Sequence, residues 1–90
     1  MCMQYSIYSI FGNAIRTRLV LCLQTKPKTV SELITACGLS QSAVSQHLTK
    51  LKMTGVVKAT RDGKEIWYSL VYPQAAKIGA QIVAFEKEAI

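Results

Sequence analysis

The 90-residue sequence predicts a mainly α-helical domain with one small β-hairpin. Three observations predict it. Apolar residues recur at helical spacing on both sides of residue 38, Gly38-Leu39-Ser40 forms a turn signal between two such segments, and Asp62-Gly63 separates two runs that alternate as strands do. Helix, turn, helix and hairpin follow one another between residues 29 and 70, and this order is typical of a winged helix-turn-helix.

A single domain is expected over residues 1–90. A chain this short buries only roughly 60–65% of its unfolded surface, so a partner subunit would help to stabilise it. The predicted parts are the N-terminal helices (1–25), the helix-turn-helix (29–54), the wing (56–70) and a C-terminal dimerisation helix (73–89).

The N-terminal region is predicted to be helical. Residues 3–12 mix aromatic and β-branched side chains, and we interpret them as helix because the following segment is helical. Asn13 is a suitable N-cap for that segment. Its apolar residues fall on one helical face: Ile15, Leu19, Cys22 and Leu23. Lys26-Pro27-Lys28 is expected to end the helix, because the residue before a proline avoids the α region.

The helix-turn-helix carries its own start and stop signals. Thr29 and Glu32 match a capping box, Gly38 suits a left-handed C′ position, and Ser40 can cap the next helix. Gly55 is expected to end that helix. Its apolar residues Val44, Leu48 and Leu51 share one face. The opposite face is polar apart from its last member: Ser42, Ser45, Gln46, Thr49 and Met53.

The wing is predicted as two strands, 56–60 and 65–70, joined by residues 61–64. Asp62-Gly63 favours a type I′ turn, which needs positive φ angles. Alternation predicts that Ile66, Tyr68 and Leu70 point inward and that Glu65, Trp67 and Ser69 point outward.

The last helix is expected to open at Pro73 and to run to about Glu88. Its apolar stripe is broad: Ala76, Gly79, Ile82, Val83, Phe85 and Ala89. A domain of this size has little left to cover such a stripe, which favours dimerisation through this helix. Packing back on the same domain is the alternative.

The charge distribution favours a polyanionic partner. Lys and Arg total 11 against 5 acids, for a net charge of +6. No carboxylate lies between Leu33 and Arg61, so the second helix carries nothing that repels phosphate. A solvated basic surface is the alternative interpretation.

Several function classes are disfavoured. Three widely spaced cysteines without a CxxC pair argue against a secreted disulfide framework, and no apolar run reaches the ~18–20 residues that span a bilayer, so a cytoplasmic protein without membrane contact is expected. One His, no Gly-rich phosphate loop and no paired metal ligands argue against an enzyme and predict no cofactor.

Residues 39–48, with Leu51, Gly55, the wing residues 62–64 and Tyr68, resemble the ArsR-type winged-helix repressors of bacteria and archaea. Residues 17–19 fit the second helix of that family, and the resemblance spans about residues 11–72. It implies a homodimer built on the first and last helices, an operator with two half-sites on double-stranded DNA, and repression that an inducer relieves.

A helix-turn-helix sets the N-terminal part of its second helix in the major groove. The residues predicted to read bases are therefore Gln41, Ser42, Ser45 and Gln46, with Thr49 further along. Those predicted to hold phosphates or enter the neighbouring minor groove from the wing are Lys50, Lys52, Lys58, Arg61 and Lys64. His47 borders the core face and is interpreted as a packed, hydrogen-bonded residue or as a DNA contact. Trp67 is interpreted as a DNA or partner contact or as a lone exposed aromatic.

The resemblance also bears on sensing. Many family members bind metal through cysteines in the third helix, where this chain has Thr29 and Ser31. The other familiar metal site uses pairs of His and carboxylate residues in the last helix, and residues 73–90 contain no His or Asp. No metal site is therefore expected. Oxidant-sensing members carry a cysteine in the second helix, as Cys22 is here, and pair it with one in the last helix. That partner is missing, which leaves Cys2 as the candidate redox partner. The alternative is that Cys22 and Cys37 are small buried residues of the apolar core.

The function predicted from the sequence is a sequence-specific dimeric repressor without the usual metal site. The alternatives are an architectural DNA-binding protein without an inducer, a thiol-sensing repressor that uses Cys22, and an interaction module that has lost DNA binding.

Overall fold

A computed structural model describes the backbone of residues 7–89 and the side chains of residues 9–89. Its elements are α1 (Ile7–Phe11), α2 (Ala14–Cys22), β1 (Lys28–Thr29), α3 (Val30–Cys37), α4 (Gln41–Met53), β2 (Val57–Asp62), β3 (Glu65–Leu70) and α5 (Gln74–Ala89). This is the mainly helical winged helix-turn-helix that the sequence predicts. The part of the predicted first helix that precedes residue 7 lies outside the described residues.

Side-chain caps fix the starts of three helices. The Asn13 carboxamide oxygen accepts from the backbone N–H groups of Ile15 and Arg16, at 2.9 and 3.1 Å. The capping box is present in both directions, since Thr29 Oγ1 accepts from Glu32 N at 3.2 Å and Glu32 Oε1 accepts from Thr29 N at 3.0 Å. Ser40 Oγ accepts from Ala43 N at 3.2 Å. All three caps were predicted from the sequence. Each accepts hydrogen bonds from backbone N–H groups that have no partner within the first turn of a helix.

The end of α2 differs from the prediction. The helix stops at Cys22, before Lys26-Pro27-Lys28, and Leu23 leaves helical geometry with φ −92° and ψ 2°. The Gln24 N–H bonds back to Leu21 O at 3.2 Å, which tightens the last turn, and the Lys28 ammonium donates to the Cys22 carbonyl. These groups satisfy the helix C-terminus before the proline is reached, so the proline does not end the helix.

The wing belongs to a three-stranded antiparallel sheet of order β1-β3-β2. The short strand β1 was not predicted from the sequence. In it, Lys28 pairs with Tyr68 and Thr29 pairs with Trp67. The hairpin loop is Gly63-Lys64, because Asp62 pairs with Glu65. Gly63 has φ 66°, and no other residue type within 7–89 has positive φ. The predicted type I′ turn at Asp62-Gly63 is therefore wrong: glycine at the first central position fits a type II′ turn.

The predicted alternation of β3 also fails in part. Ile66, expected inward, is 42% exposed, whereas Trp67, expected outward, is half-buried. Ile66 shares an open surface depression with residues 29–31 at the start of α3, so it is only partly covered. Trp67 shares a surface groove with Lys26 and Pro27. The alternation of residues along the hairpin could not predict this contact, because Lys26 and Pro27 lie outside the hairpin.

One apolar core joins the helices and the base of the wing. Its largest fully buried side chains come from α1 to α4 and from the start of β2: Ile10, Leu19, Val20, Leu33, Val44, Leu48, Leu51 and Val57. The first half of α5 packs on α2 through Ala75, Ala76 and Gly79. Within residues 7–89, no helix is long and apolar enough to cross a membrane.

Candidate nucleic-acid interface

The two faces of α4 are sharply different. Val44, Leu48 and Leu51 are 0–1% exposed and hold the helix against the core. The five residues predicted to read bases are all exposed. Gln41 lies in the first turn beside the edge of the core face, and the other four point away from the core: Ser42, Ser45, Gln46 and Thr49. The structure therefore brings these five together on one accessible surface, which we call the α4 outer face.

The polar groups of the α4 outer face differ in how many hydrogen-bond donors and acceptors remain available for a ligand. Thr49 Oγ1 donates to the Ser45 carbonyl at 2.9 Å, so its hydrogen is committed within the helix. Ser42 Oγ lies 3.4 Å from Ser40 Oγ, the oxygen that caps α4. A Gln amide carries two donor hydrogens and an acceptor oxygen, so Gln41 and Gln46 offer the fullest hydrogen-bonding pattern on this surface.

The predicted phosphate-binding cations lie in the last turn of α4 and along the hairpin. Lys50 and Lys52 are exposed in the last turn of α4, where they also complement the negative end of the helix dipole. Lys58, Arg61 and Lys64 are exposed along the hairpin. Arg61 Nε donates to the Gly63 carbonyl at 3.4 Å and so bends over the turn. Asp62 and Glu65 sit at the same tip and reduce its positive charge.

His47 ties α4 to α2. Its Nδ1 lies 3.2 Å from an Arg16 guanidinium nitrogen, and Arg16 also donates to the Ser9 carbonyl at 3.1 and 2.9 Å. Because a guanidinium only donates, Nδ1 is the acceptor and the neutral ring carries its proton on Nε2. Burial, then the Arg16 charge, then the Lys50 charge lower the pKa of His47 below its ordinary 6.5. This is the packed, hydrogen-bonded histidine of the first interpretation.

The cysteines are arranged differently from the sequence-based hypothesis. Cys2 lies outside the described residues. Cys22 lies beside Cys37, with the two Sγ atoms 3.0 Å apart. Both residues lie on the apolar faces of consecutive helices, and this shared position was the one signal in the sequence for their contact. No group of three or more His, Cys, Asp and Glu side chains suited to a metal lies together in the part of the chain that is described.

A scan against protein families matches residues 13–59 to the bacterial regulatory protein, arsR family. The match covers α2 to the first half of β2, and so includes the capped turn and the whole of α4.

Two curated relatives come from Mycobacterium tuberculosis. The HTH-type transcriptional repressor SmtB is 39% identical over 74 residues, which is 82% of this chain and 55% of that protein. The HTH-type transcriptional regulator KmtR is 33% identical over 69 residues, which is 77% of this chain and 53% of that protein. The chain thus spans about half the length of these relatives.

The fold has solved counterparts. The crystal structure of the transcriptional repressor BigR from Xylella fastidiosa superimposes with a TM-score of 0.78 at 28% identity, covering 87% of this chain and 80% of that one. Its agreement extends beyond residues 13–59, so the likeness includes more than the helix-turn-helix.

Proposed function

Because this chain belongs to the arsR family of bacterial regulatory proteins, we propose that it is a sequence-specific repressor that binds DNA as a homodimer. The family consists of DNA-binding transcription regulators and not of enzymes, in agreement with the lack of catalytic groups in the sequence. The single observation that carries the proposal is the α4 outer face, which is neutral, exposed and hydrogen-bonding.

In this proposal, Gln41 and Gln46 read base edges from the major groove. A Gln amide can donate to and accept from the N6/N7 edge of adenine, which discriminates against a wrong base by ~1–3 kcal/mol. The serine and threonine hydroxyls contact bases or phosphates beside them. An ordinary solvated helix face would carry charged side chains there, whereas no carboxylate lies on α4 at all.

The cations supply affinity with little sequence choice. Lys50, Lys52 and Lys58 hold phosphates beside the major groove, and Arg61 and Lys64 bring the wing to the neighbouring minor groove. Each phosphate contact releases condensed counterions, so affinity falls as salt rises. Asp62 and Glu65 at the tip make the wing the weaker of the two contacts.

The exposed side of α5 is the proposed dimer surface. Ile78, Ile82 and Phe85 are 42%, 37% and 71% exposed, and Tyr72 before the helix is 50% exposed. Large apolar side chains grouped in this way mark interaction surfaces. A two-fold dimer through α5 and the N-terminal helices presents two copies of α4 to half-sites about 34 Å apart, or a multiple of one helical turn.

We further propose that this repressor does not use the metal-binding positions of the third helix. Thr29 and Ser31 stand there, and Thr29 is engaged as the N-cap of α3. Addition of Zn²⁺ is therefore expected to leave the DNA affinity unchanged, as measured by the titration described next.

Fluorescence anisotropy on DNA from upstream of the gene, against a scrambled duplex, tests the proposal. Gln46→Ala is expected to weaken binding to the specific duplex by about 10- to 100-fold, the loss of one bidentate base contact, and to leave the scrambled duplex unaffected. Lys52→Ala is expected to weaken both duplexes alike and to reduce the slope of log affinity against log salt by about 1.

Gln24→Ala and Lys77→Ala are the matched controls, since both residues are exposed outside the helix-turn-helix and the wing. Equal affinity of the unmodified protein for both duplexes would favour the architectural alternative. Absence of binding to either duplex would favour an interaction module.

The dimer has its own test. Phe85→Lys is expected to shift the protein from dimer to monomer in sedimentation velocity, because it places a charge in the apolar surface of α5. Lys77→Glu, on the same helix, serves as a control for a charge change alone. A monomeric unmodified protein, or a dimer that survives Phe85→Lys, would rule out this surface.

A further inference from the structure

Two thiols meet where α2 and α3 end. Cys22 is the last residue of α2 and Cys37 is the last residue of α3, and their Sγ atoms are 3.0 Å apart. A disulfide has an S–S distance of about 2.05 Å, so the two sulfurs need to approach by only about 1 Å.

The two sulfurs are not equivalent. Cys22 is half-buried, whereas Cys37 is buried at 7% exposure, so a small solute reaches Cys22 first. Burial, followed by the hydrogen bond and the charge of Cys22, raises the pKa of the Cys37 thiol to about 12. Cys37 therefore keeps its proton while Cys22 meets the solute.

Two cations lie close enough to assist. Arg18 and Lys28 act on Cys37 in the direction that lowers its pKa, opposite to the effect of Cys22. Lys28 is held in place because its ammonium donates to the Cys22 carbonyl. Once the Cys22 sulfur is oxidised, its contribution to the raised pKa of Cys37 is lost, whereas burial and the two cations remain.

We infer that Cys22 and Cys37 are a redox-active dithiol, which a peroxide-class oxidant converts into a disulfide within one chain. The Cys22 thiolate attacks one peroxide oxygen, the O–O bond breaks, and the leaving hydroxide takes a proton to become water. The Cys37 sulfur attacks the sulfur of the resulting sulfenic acid and forms the S–S bond. The S–O bond breaks, and the hydroxide leaves as water after it takes the proton of Cys37. Two thiols and one hydrogen peroxide give one disulfide and two waters.

The bond would act on the recognition helix through its turn. Cys37 is followed by Gly38 and Leu39, and Ser40 then caps α4, so a displaced α3 terminus moves the start of the α4 outer face. This consequence rests on the proposed function. Oxidation is expected to weaken specific DNA binding by roughly 5- to 150-fold, the usual range for coupling between two sites.

The chemistry is tested on the full chain without DNA. The reduced protein is treated with equimolar hydrogen peroxide, alkylated and digested without reductant. The expected result is a linked Cys22–Cys37 peptide, two fewer alkylated thiols per chain and no covalent dimer. Cys2→Ser, the matched control, is expected to behave like the unmodified protein, whereas Cys22→Ser and Cys37→Ala lose the linked peptide.

Three results would overturn the inference. They are a link from Cys22 to Cys2, a covalent dimer, and oxidation of Cys22 to sulfinic acid while Cys37 is still alkylated. The peptide map of the unmodified protein decides among these even if a variant fails to fold.

The effect on DNA is measured separately, with reduced, oxidised and re-reduced protein on the same duplex. Weak binding after oxidation that reductant restores supports the coupling, and equal binding by the reduced and disulfide forms rejects it. Failure of the reduced protein to bind DNA would count against the proposed function, while the peptide map still decides on the disulfide.

Discussion

In the helix-turn-helix, Val44, Leu48 and Leu51 of α4 are 0–1% exposed, whereas on α5 Phe85 is 71% and Ile78 is 42% exposed. Both helices carry an apolar stripe in the sequence, but only α4 has neighbours on the whole of it. The first half of α5 rests on α2 and its flank is left open. The buried apolar residues of α4 therefore maintain the fold, whereas the large apolar residues of α5 are exposed and can contact a partner.

The largest expected effect separates these two roles directly. Leu48→Ala removes a side chain that is 1% exposed and should lower the free energy of unfolding by about 2–5 kcal/mol. Phe85→Ala removes a larger but exposed side chain and should change the stability of the isolated protomer by no more than about 0.5 kcal/mol. Urea titrations at the lowest workable protein concentration measure both. Similar losses for the two variants would mean that α5 is part of the protomer core.

Two glycines offer a second contrast between the same regions. Gly38 has φ 68°, a left-handed conformation that a Cβ disfavours, so Gly38→Ala should destabilise the protein by about 1–2 kcal/mol. Gly79 lies within α5, where a Cβ would meet Thr17, Leu21 and Phe11 side-chain atoms at 3.4–3.6 Å, which is ordinary contact. Gly79→Ala should therefore stabilise the protein by about 0.4–1 kcal/mol.

Thermal unfolding of the two glycine variants checks the sign of each change. A loss of stability in both would show that the α2–α5 packing has no room for one methyl group. A loss of stability in Gly38→Ala and a gain in Gly79→Ala would show that the turn of the helix-turn-helix requires a glycine, whereas α5 does not.

The helix-turn-helix was predictable because its signals are local. The cap at Ser40, the box formed by Thr29 and Glu32, and the left-handed Gly38 each depend on residues within four positions of one another. The α4 outer face follows from the same helical spacing. Short-range hydrogen bonding therefore decides where these elements start and stop.

Apart from the turn type of the hairpin at residues 62–65, the misses depend on contacts between residues six or more positions apart. The pairing of Thr29 with Trp67 makes a third strand from two residues that carry no strand pattern. The Lys28 ammonium ends α2 early through a carbonyl six positions back. Cys22 and Cys37 are 15 positions apart, and only the crossing of α2 and α3 brings their sulfurs together. The spacing of apolar residues predicts which face of a helix or strand a residue occupies. It does not predict which residue of a distant segment that side chain contacts.

Two serines of the helix-turn-helix have different roles: Ser40 caps α4 and Ser45 is exposed on it. Ser40 Oγ accepts from Ala43 N at 3.2 Å, so Ser40→Ala should lower the free energy of unfolding by about 1 kcal/mol. Ser45→Ala, on the exposed α4 outer face, should stay within about 0.5 kcal/mol. The same pair should reverse its order in DNA titrations, where Ser45 is the proposed contact. A DNA defect in Ser40→Ala as large as that in Ser45→Ala would mean that the cap also positions the reading surface.

The smallest effect concerns pH and the joint between α4 and α2. The pKa of His47 is lowered in the folded protein, chiefly by burial and then by Arg16, so the unfolded chain takes up a proton first as the pH falls. The free energy of unfolding should therefore be constant above about pH 7.5, fall as the pH passes below 6.5, and level off below the folded-state pKa. His47→Asn keeps an acceptor for Arg16 but cannot titrate, so its stability should be flatter over the same window. Because the chain has one histidine, a slope that persists in His47→Asn would assign the pH dependence to carboxylates and leave the Arg16–His47 contact without a role in it.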